Sequence, residues 1–276
     1  MQISNMLQSE SFYFTDAKPN MLVRSDEIRS LVDIEEYCKM IQESIDYEDD
    51  IWDVEVEENI FLYDWMFGKT GYGNSEDRRF LMELISKRSI KVKEEAHQIS
   101  ISLGVYKDCV CEVESYVEER RKILKAIHNP SEFAKFMPSC FVNSIFADDI
   151  TCEMRNIKDF AIHTEEITNN LSVLNDEAVC LYKEHHNNLK AAMDILSSKL
   201  RACTPDPKHE KVLKFSFSYE ECIDGENLAR NKEITCSPHL KLIHKGSNLR
   251  IYFWWCDTEI GKGEKVLIGR IGRHPY

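Results

Sequence analysis

The chain has 276 residues, 43% of them hydrophobic and 30% charged, which suits one large domain or two modest ones. Its net charge of −13 excludes a protein that coats nucleic acid by general basicity. No apolar stretch approaches the ~20 residues that cross a bilayer, and Met1 to Asn5 is not a basic region leading into an apolar run, so no membrane contact and a cytoplasmic location are expected.

The charge is uneven. Residues 1–204 hold 23 Lys and Arg against 38 Asp and Glu, net −15; residues 205–276 hold 12 against 10, net +2. The ten cysteines are scattered, and Cys109 and Cys111 stand one residue apart with no C-x-x-C anywhere. Free thiols are expected rather than a zinc ribbon or disulfide staples, with no metal and no cofactor.

Ser11 to Phe14 and Met21 to Arg24 flank Pro19-Asn20 and read as short extended pieces about a turn. Ser25-Asp26-Glu27 opens a helical run from Ile28 to Ile45. Asp46 to Glu58 carries eight carboxylates in thirteen residues. It reads as a solvated acidic loop entering a strand, with Asp53, Glu55 and Glu57 outward; a nucleic-acid mimic or a metal site is the functional alternative. Gly68-Lys69-Thr70 suggests a P-loop, but the glycine required five positions earlier is Tyr63, so a glycine-rich turn is expected.

Ser75 is a helix cap for Arg78 to Lys87. Lys91 to Gly104 has weak patterning. Cys109 to His128 reads as a helix stopped by Asn129-Pro130, with a short helical turn over Ser131 to Phe136. Residues 153–203 suggest two helices joined near Asn175-Asp176, with His185-His186 exposed. Pro205-Asp206-Pro207 then sets the boundary between an acidic, mainly helical domain, 1–204, and a small α+β domain, 205–276.

In that second domain Leu213, Phe215, Phe217 and Tyr219 alternate with polar residues, a half-buried strand. Ser218-x-x-Glu221 is a capping-box pattern for a helix toward Arg230. Pro238 to His244 gives another strand. From Leu249 to Cys256, Leu249, Ile251, Phe253 and Trp255 fall on one face and Arg250, Tyr252, Trp254 and Cys256 on the other. A glycine-bearing connection from Asp257 to Glu264 leads to a last strand, so the two form a hairpin. The fold class is therefore α+β: a mainly helical body followed by a small antiparallel sheet with a helix on one face.

Leu240-Lys241-Leu242, Leu249 to Phe253 and Ile268-Gly269-Arg270-Ile271-Gly272-Arg273-His274-Pro275-Tyr276 together resemble the RelE/HigB toxin superfamily over residues 212–276. The resemblance implies a toxin-type endoribonuclease acting on single-stranded RNA, free or on the ribosome, in a bacterial defence or toxin–antitoxin setting. It implies Arg250, Arg270, Arg273, His274 and Tyr276 as catalytic residues and Lys241, Tyr252 and Trp254 as RNA-binding residues. The chemistry agrees. Attack by a 2′-hydroxyl needs a base, an acid and cations for the phosphorane, and Arg forks match phosphate oxygens while His titrates near neutrality. Aromatic rings stack splayed bases. The competing reading is a non-enzymatic interaction protein whose helical body binds a partner protein or antitoxin. The charge split adds an expectation that the acidic body restrains the cationic end.

Overall fold

Five residues near the front of the chain, Ile3–Leu7, form the middle strand of a parallel sheet. The computed structural model describes residues 3–7, 21–57, 59–68, 75–86, 97–101, 110–203, 211–223 and 226–274. The chain divides into two units, Met1–Lys122 and Ile123–Tyr276. The boundary expected at 204/205 thus falls inside the second unit. Recounted by unit, the charge is −12 (15 Lys and Arg, 27 Asp and Glu) and −1 (20 and 21).

In the first unit the order is β1 (Ile3–Leu7), α1 (Met21–Met40), β2 (Ile45–Tyr47), β3 (Glu55–Glu57), β4 (Ile60–Phe61), α2 (Leu62–Phe67), α3 (Ser75–Ile85), β5 (His97–Ile101) and α4 (Val113–Ala126). β1 pairs in parallel with β2 and with β5. A parallel pair needs a long crossover, which α1 supplies between β1 and β2. Its buried stripe, Ile28, Leu31, Ile34 and Cys38, follows helical spacing. Met21 to Arg24, expected as extended, is the first turn of α1; the apolar run there continues the helix. The segment 9–20 lies outside the described residues, as do Lys69 to Asn74 of the expected glycine-rich turn. A 3-10 turn over Asp49–Asp53 precedes β3 in the acidic stretch, with Asp53 and Glu55 exposed as expected.

Arg120 of α4 is fully buried, ion-paired with Glu43. Asn5 donates to that carboxylate and to the Ser44 carbonyl, both at 3.2 Å. The Tyr116 hydroxyl also donates to Glu43 at 3.3 Å, and the Cys38 thiol donates to Tyr116 at 3.3 Å.

The second unit continues with α5 (Pro130–Phe136), β6 (Ser144–Phe146), α6 (Ile150–Arg155), α7 (Thr164–Glu184), α8 (Leu189–Lys199), β7 (Ala202–Cys203), β8 (Lys214–Ile223), β9 (Glu226–Thr235), β10 (His239–Leu242), β11 (Leu249–Trp254) and β12 (Val266–Arg273). α7 runs straight through Asn175-Asp176; the helix junction lies at His185–Asn188, where His186 and Asn187 take left-handed backbone. Asn175 fails to break the helix because its amide oxygen accepts from the Asn143 N–H and the Ser144 hydroxyl, both at 2.9 Å.

The five-stranded sheet has the order β6-β12-β11-β10-β7 and is mixed, since β6 runs parallel to β12. The purely antiparallel sheet expected from 205–276 is corrected on that point: residues 144–146 and 202–203 supply its two edges. The expected helix from Ser218 to Arg230 is also corrected. Its described residues, 218–223 and 226–230, belong to β8 and β9, which pair antiparallel over ten residue pairs. The alternation from Leu213 to Tyr219 outweighs the capping-box pattern, because the strand that buries Phe215 and Phe217 continues through Ser218 and pairs residue by residue with β9.

The hairpin covers one face of the sheet, packing Leu213, Phe215, Phe217, Ile234 and Cys236 against Tyr252 and Leu267. α7 packs on β10 and β12, and its Tyr182 ring stacks on Trp255 at 5.3 Å. The expected inward set, Leu213, Phe215, Phe217, Leu249, Ile251, Phe253 and Trp255, is buried throughout. Between Tyr252 and Phe253 the β11–β12 register slips, leaving Gly269 unmatched. A Cβ there would lie 2.4 Å from the Phe215 ring, so only glycine permits this close approach.

Among the described residues Cys38, Cys111, Cys140, Cys152, Cys180, Cys236 and Cys256 are free thiols, as expected. No helix among the described residues is long and apolar enough to cross a membrane.

Candidate functional site

Register decides which of the expected site residues meet. His239 lies opposite Tyr252 and Lys241 opposite Arg250 across β10–β11; Tyr252 lies opposite Arg270 and Arg250 opposite Gly272 across β11–β12. Directly opposite residues share a face. One face of the sheet therefore carries His239, Lys241, Arg250, Tyr252 and Arg270, with His274 following two positions after Gly272. Arg273 lies opposite Leu249 and belongs to the other face.

On the first face the ring centroids of His239 and His274 are 6.4 Å apart. His239 is 7% exposed, and its Nδ1 lies 3.3 Å from the Ser237 carbonyl oxygen. A proton on Nδ1 would bond that oxygen and leave Nε2 as the acceptor. Burial pushes the His239 pKa below the ordinary value. The Ser237 carbonyl opposes this; Arg250, His274 and Lys241 add to the lowering. Arg250 is half-buried, donates from Nη1 to the Leu249 carbonyl at 2.8 Å, and has no hydrogen-bond partner at Nε among the described residues. Lys241 is exposed beside it. The His274 N–H donates to the Asn248 carbonyl at 3.1 Å, which continues the last strand one residue further.

The other expected residues are placed differently. Tyr252 is fully buried beneath the β8–β9 hairpin and packs on the His239 ring at 5.0 Å; Trp254 is half-buried against the same cluster. The expected role of both rings in stacking a base is not favoured by this placement, because the β8–β9 hairpin packs on that face in place of the expected helix. Arg270 pairs with Glu153 of α6 at 2.7 Å, so its guanidinium is engaged by a carboxylate within the unit. Tyr276 lies outside the described residues.

Arg273 is exposed and lines a cleft of about 450 Å³ with Ile157, Lys158, Asp159, Ile162, His163, Lys245 and Leu249. His163 is buried, faces the His244 ring at 6.0 Å, and has no hydrogen-bond partner at Nδ1 among the described residues. Burial lowers its pKa, and His244 adds to that.

His239 was legible as a strand residue two positions before Lys241, but the contact of its Nδ1 with the Ser237 carbonyl was not, since periodicity does not fix side-chain rotamers. Lys158, His163 and Lys245 come from loops that no periodicity connects to Arg273. Among the described residues no group of three or more His, Cys, Asp or Glu is placed to hold a metal ion. In comparisons with known proteins, no family model, no curated protein and no solved structure matches this chain.

Proposed function

We propose that the second unit is a toxin-type endoribonuclease that cleaves single-stranded RNA by 2′-hydroxyl attack, in a bacterial defence or toxin–antitoxin role. The observation that carries this reading is the imidazole pair, His239 and His274, beside the Arg250 guanidinium on one sheet face. His239, held neutral by burial, takes the proton of the 2′-hydroxyl at Nε2. The 2′-oxygen forms a bond to phosphorus while the bond to the 5′-oxygen breaks, and His274 delivers a proton to the departing 5′-oxygen. Arg250 and Lys241 offset the charge that builds on the non-bridging oxygens. The products are a 2′,3′-cyclic phosphate and a 5′-hydroxyl.

The test is cleavage of a labelled single-stranded RNA by the full chain and by His239→Gln and His274→Gln. Each substitution removes one proton-transfer group and lowers the rate by about 10²–10⁴-fold. Undiminished cleavage by both variants contradicts the reading.

A second reading has its own observation. In the first unit Trp52, Tyr63 and Phe67 cluster at ring distances of 5.0–6.4 Å, with Tyr63 and Phe67 about half exposed among the exposed carboxylates Asp49, Asp50, Asp53 and Asp64. Such a surface suits a basic partner protein and favours a non-enzymatic component of a multi-protein defence system. Intact RNA after incubation with the wild-type chain makes this the first choice. The restraint expected from the acidic residues 1–204 stays part of this proposal; of their net −15, the first unit carries −12 and residues 123–204 carry −3.

A further inference from the structure

We propose that the cleft lined by Arg273 binds a nucleoside monophosphate. The cleft lies on the side of the sheet opposite His239 and His274, so the inference does not depend on the catalytic reading. Three cations, Lys158, Lys245 and Arg273, line it against one carboxylate, Asp159. That excess of positive charge suits a phosphomonoester dianion, and the Arg273 fork matches two of its oxygens. Ile157, Ile162 and Leu249 give the cleft an apolar wall, and Ile162 is 37% exposed. A planar base covers such a wall, and the Asp159 carboxylate accepts from ribose hydroxyls or base N–H groups. The volume, about 450 Å³, is in the range of small-ligand sites. Free phosphate would leave the wall wet.

Two further features distinguish the cleft from a chance gathering of surface lysines. The His163 imidazole is buried at its edge with an unpartnered Nδ1 among the described residues, a group whose desolvation is offset when a ligand hydroxyl or phosphate oxygen approaches. The loop that carries Lys245 is held by Glu166 of α7, whose carboxylate accepts from the Ile243 and His244 N–H groups at 2.7 and 3.1 Å. Lys245 and Asp159 both take left-handed backbone, at φ 51° and 50°, a conformation that costs energy for residues with a Cβ and that fixes where their side chains leave the chain.

The experiment is calorimetric titration of the full chain with AMP, UMP, adenosine and inorganic phosphate. The proposal predicts that one or both monophosphates bind, and that adenosine and inorganic phosphate bind at least about tenfold more weakly, since each lacks one half of the recognised group. Arg273→Gln and Lys245→Gln, both at exposed positions, should each weaken the monophosphate about tenfold, the loss of one charged hydrogen bond. Ile162→Ser should weaken the monophosphate and leave inorganic phosphate unchanged. His239→Gln should leave monophosphate binding intact even if RNA cleavage is lost. Absence of binding up to about 10 mM overturns the proposal. So does unchanged affinity in a folded Arg273→Gln Lys245→Gln double variant, and so does inorganic phosphate binding as tightly as the monophosphates.

Discussion

Each unit pairs an arginine with a glutamate, and the two pairs differ in kind. Arg120 in the first unit has no exposed surface, and its partner Glu43 also accepts from Asn5 and Tyr116. Arg270 in the second unit keeps 18% of its side chain exposed and meets Glu153 with 26% exposed. The first pair is part of a core. The second sits at the rim of a sheet face that also gathers Arg250, Lys241 and two histidines. A guanidinium sealed among its partners serves the fold; Arg250, whose Nε has no hydrogen-bond partner among the described residues, is available to a ligand. The net charge also differs, −12 for the first unit and −1 for the second.

Removing one partner from the buried pair is the most damaging way to probe this contrast. Arg120→Met should cost about 3–5 kcal/mol, because Glu43 is left uncompensated. Denaturant unfolding measures the loss, and hydrogen exchange should locate it in the first unit. Burial pushes the Cys38 thiol up to about 11 in the same network, so this cysteine should stay unreactive in the native protein. Phe253→Ala tests the second core, where Phe253 is fully buried, and should also cost about 3–5 kcal/mol. Gly269→Ala should cost about 1–3 kcal/mol, since the new methyl collides with Phe215 and the hairpin must shift. Wild-type stability in that variant would mean that the hairpin does not lie tight on the sheet.

The smallest effect is a pH dependence. His239 and His163 both have pKa values lowered in the folded chain, so between the lowered value and the ordinary 6.5 the unfolded state binds more protons. Stability is complete above about 6.5 and falls as the pH drops below it. His239→Gln should flatten this decline when unfolding is followed across the acid range.

The strands of the second unit were legible because they alternate. Leu249 to Trp255 and Leu213 to Phe217 each bury one face, and period 2 records that directly. β1 was not, because its last three residues are all buried and show no alternation; β5 does bury Ile99 and Ile101, alternating with exposed Gln98 and Ser100, but two apolar positions are too short a run to mark a strand. β6 and β7 escaped notice because edges of two or three residues carry no periodic signal. At Ser218 the capping-box pattern is purely local, and strand residues on both sides of it decide the structure. In the site, the cationic end was legible as a cluster of residue types. The division of that cluster between two faces was not, since it depends on the pairing of Arg273 with Leu249 and of Arg250 with Gly272. Tyr252 was read as outward because it alternates with Ile251 and Phe253, but the hairpin buries that face as well.

The most direct test of the catalytic account compares one single-stranded RNA with the same strand carrying a 2′-deoxyribose on the 5′ side of the cleaved bond. The account predicts cleavage of the first by the full chain, with a 2′,3′-cyclic phosphate end, and none of the second at that bond. Equal cleavage of both strands would contradict it, because no 2′-hydroxyl would then be taking part.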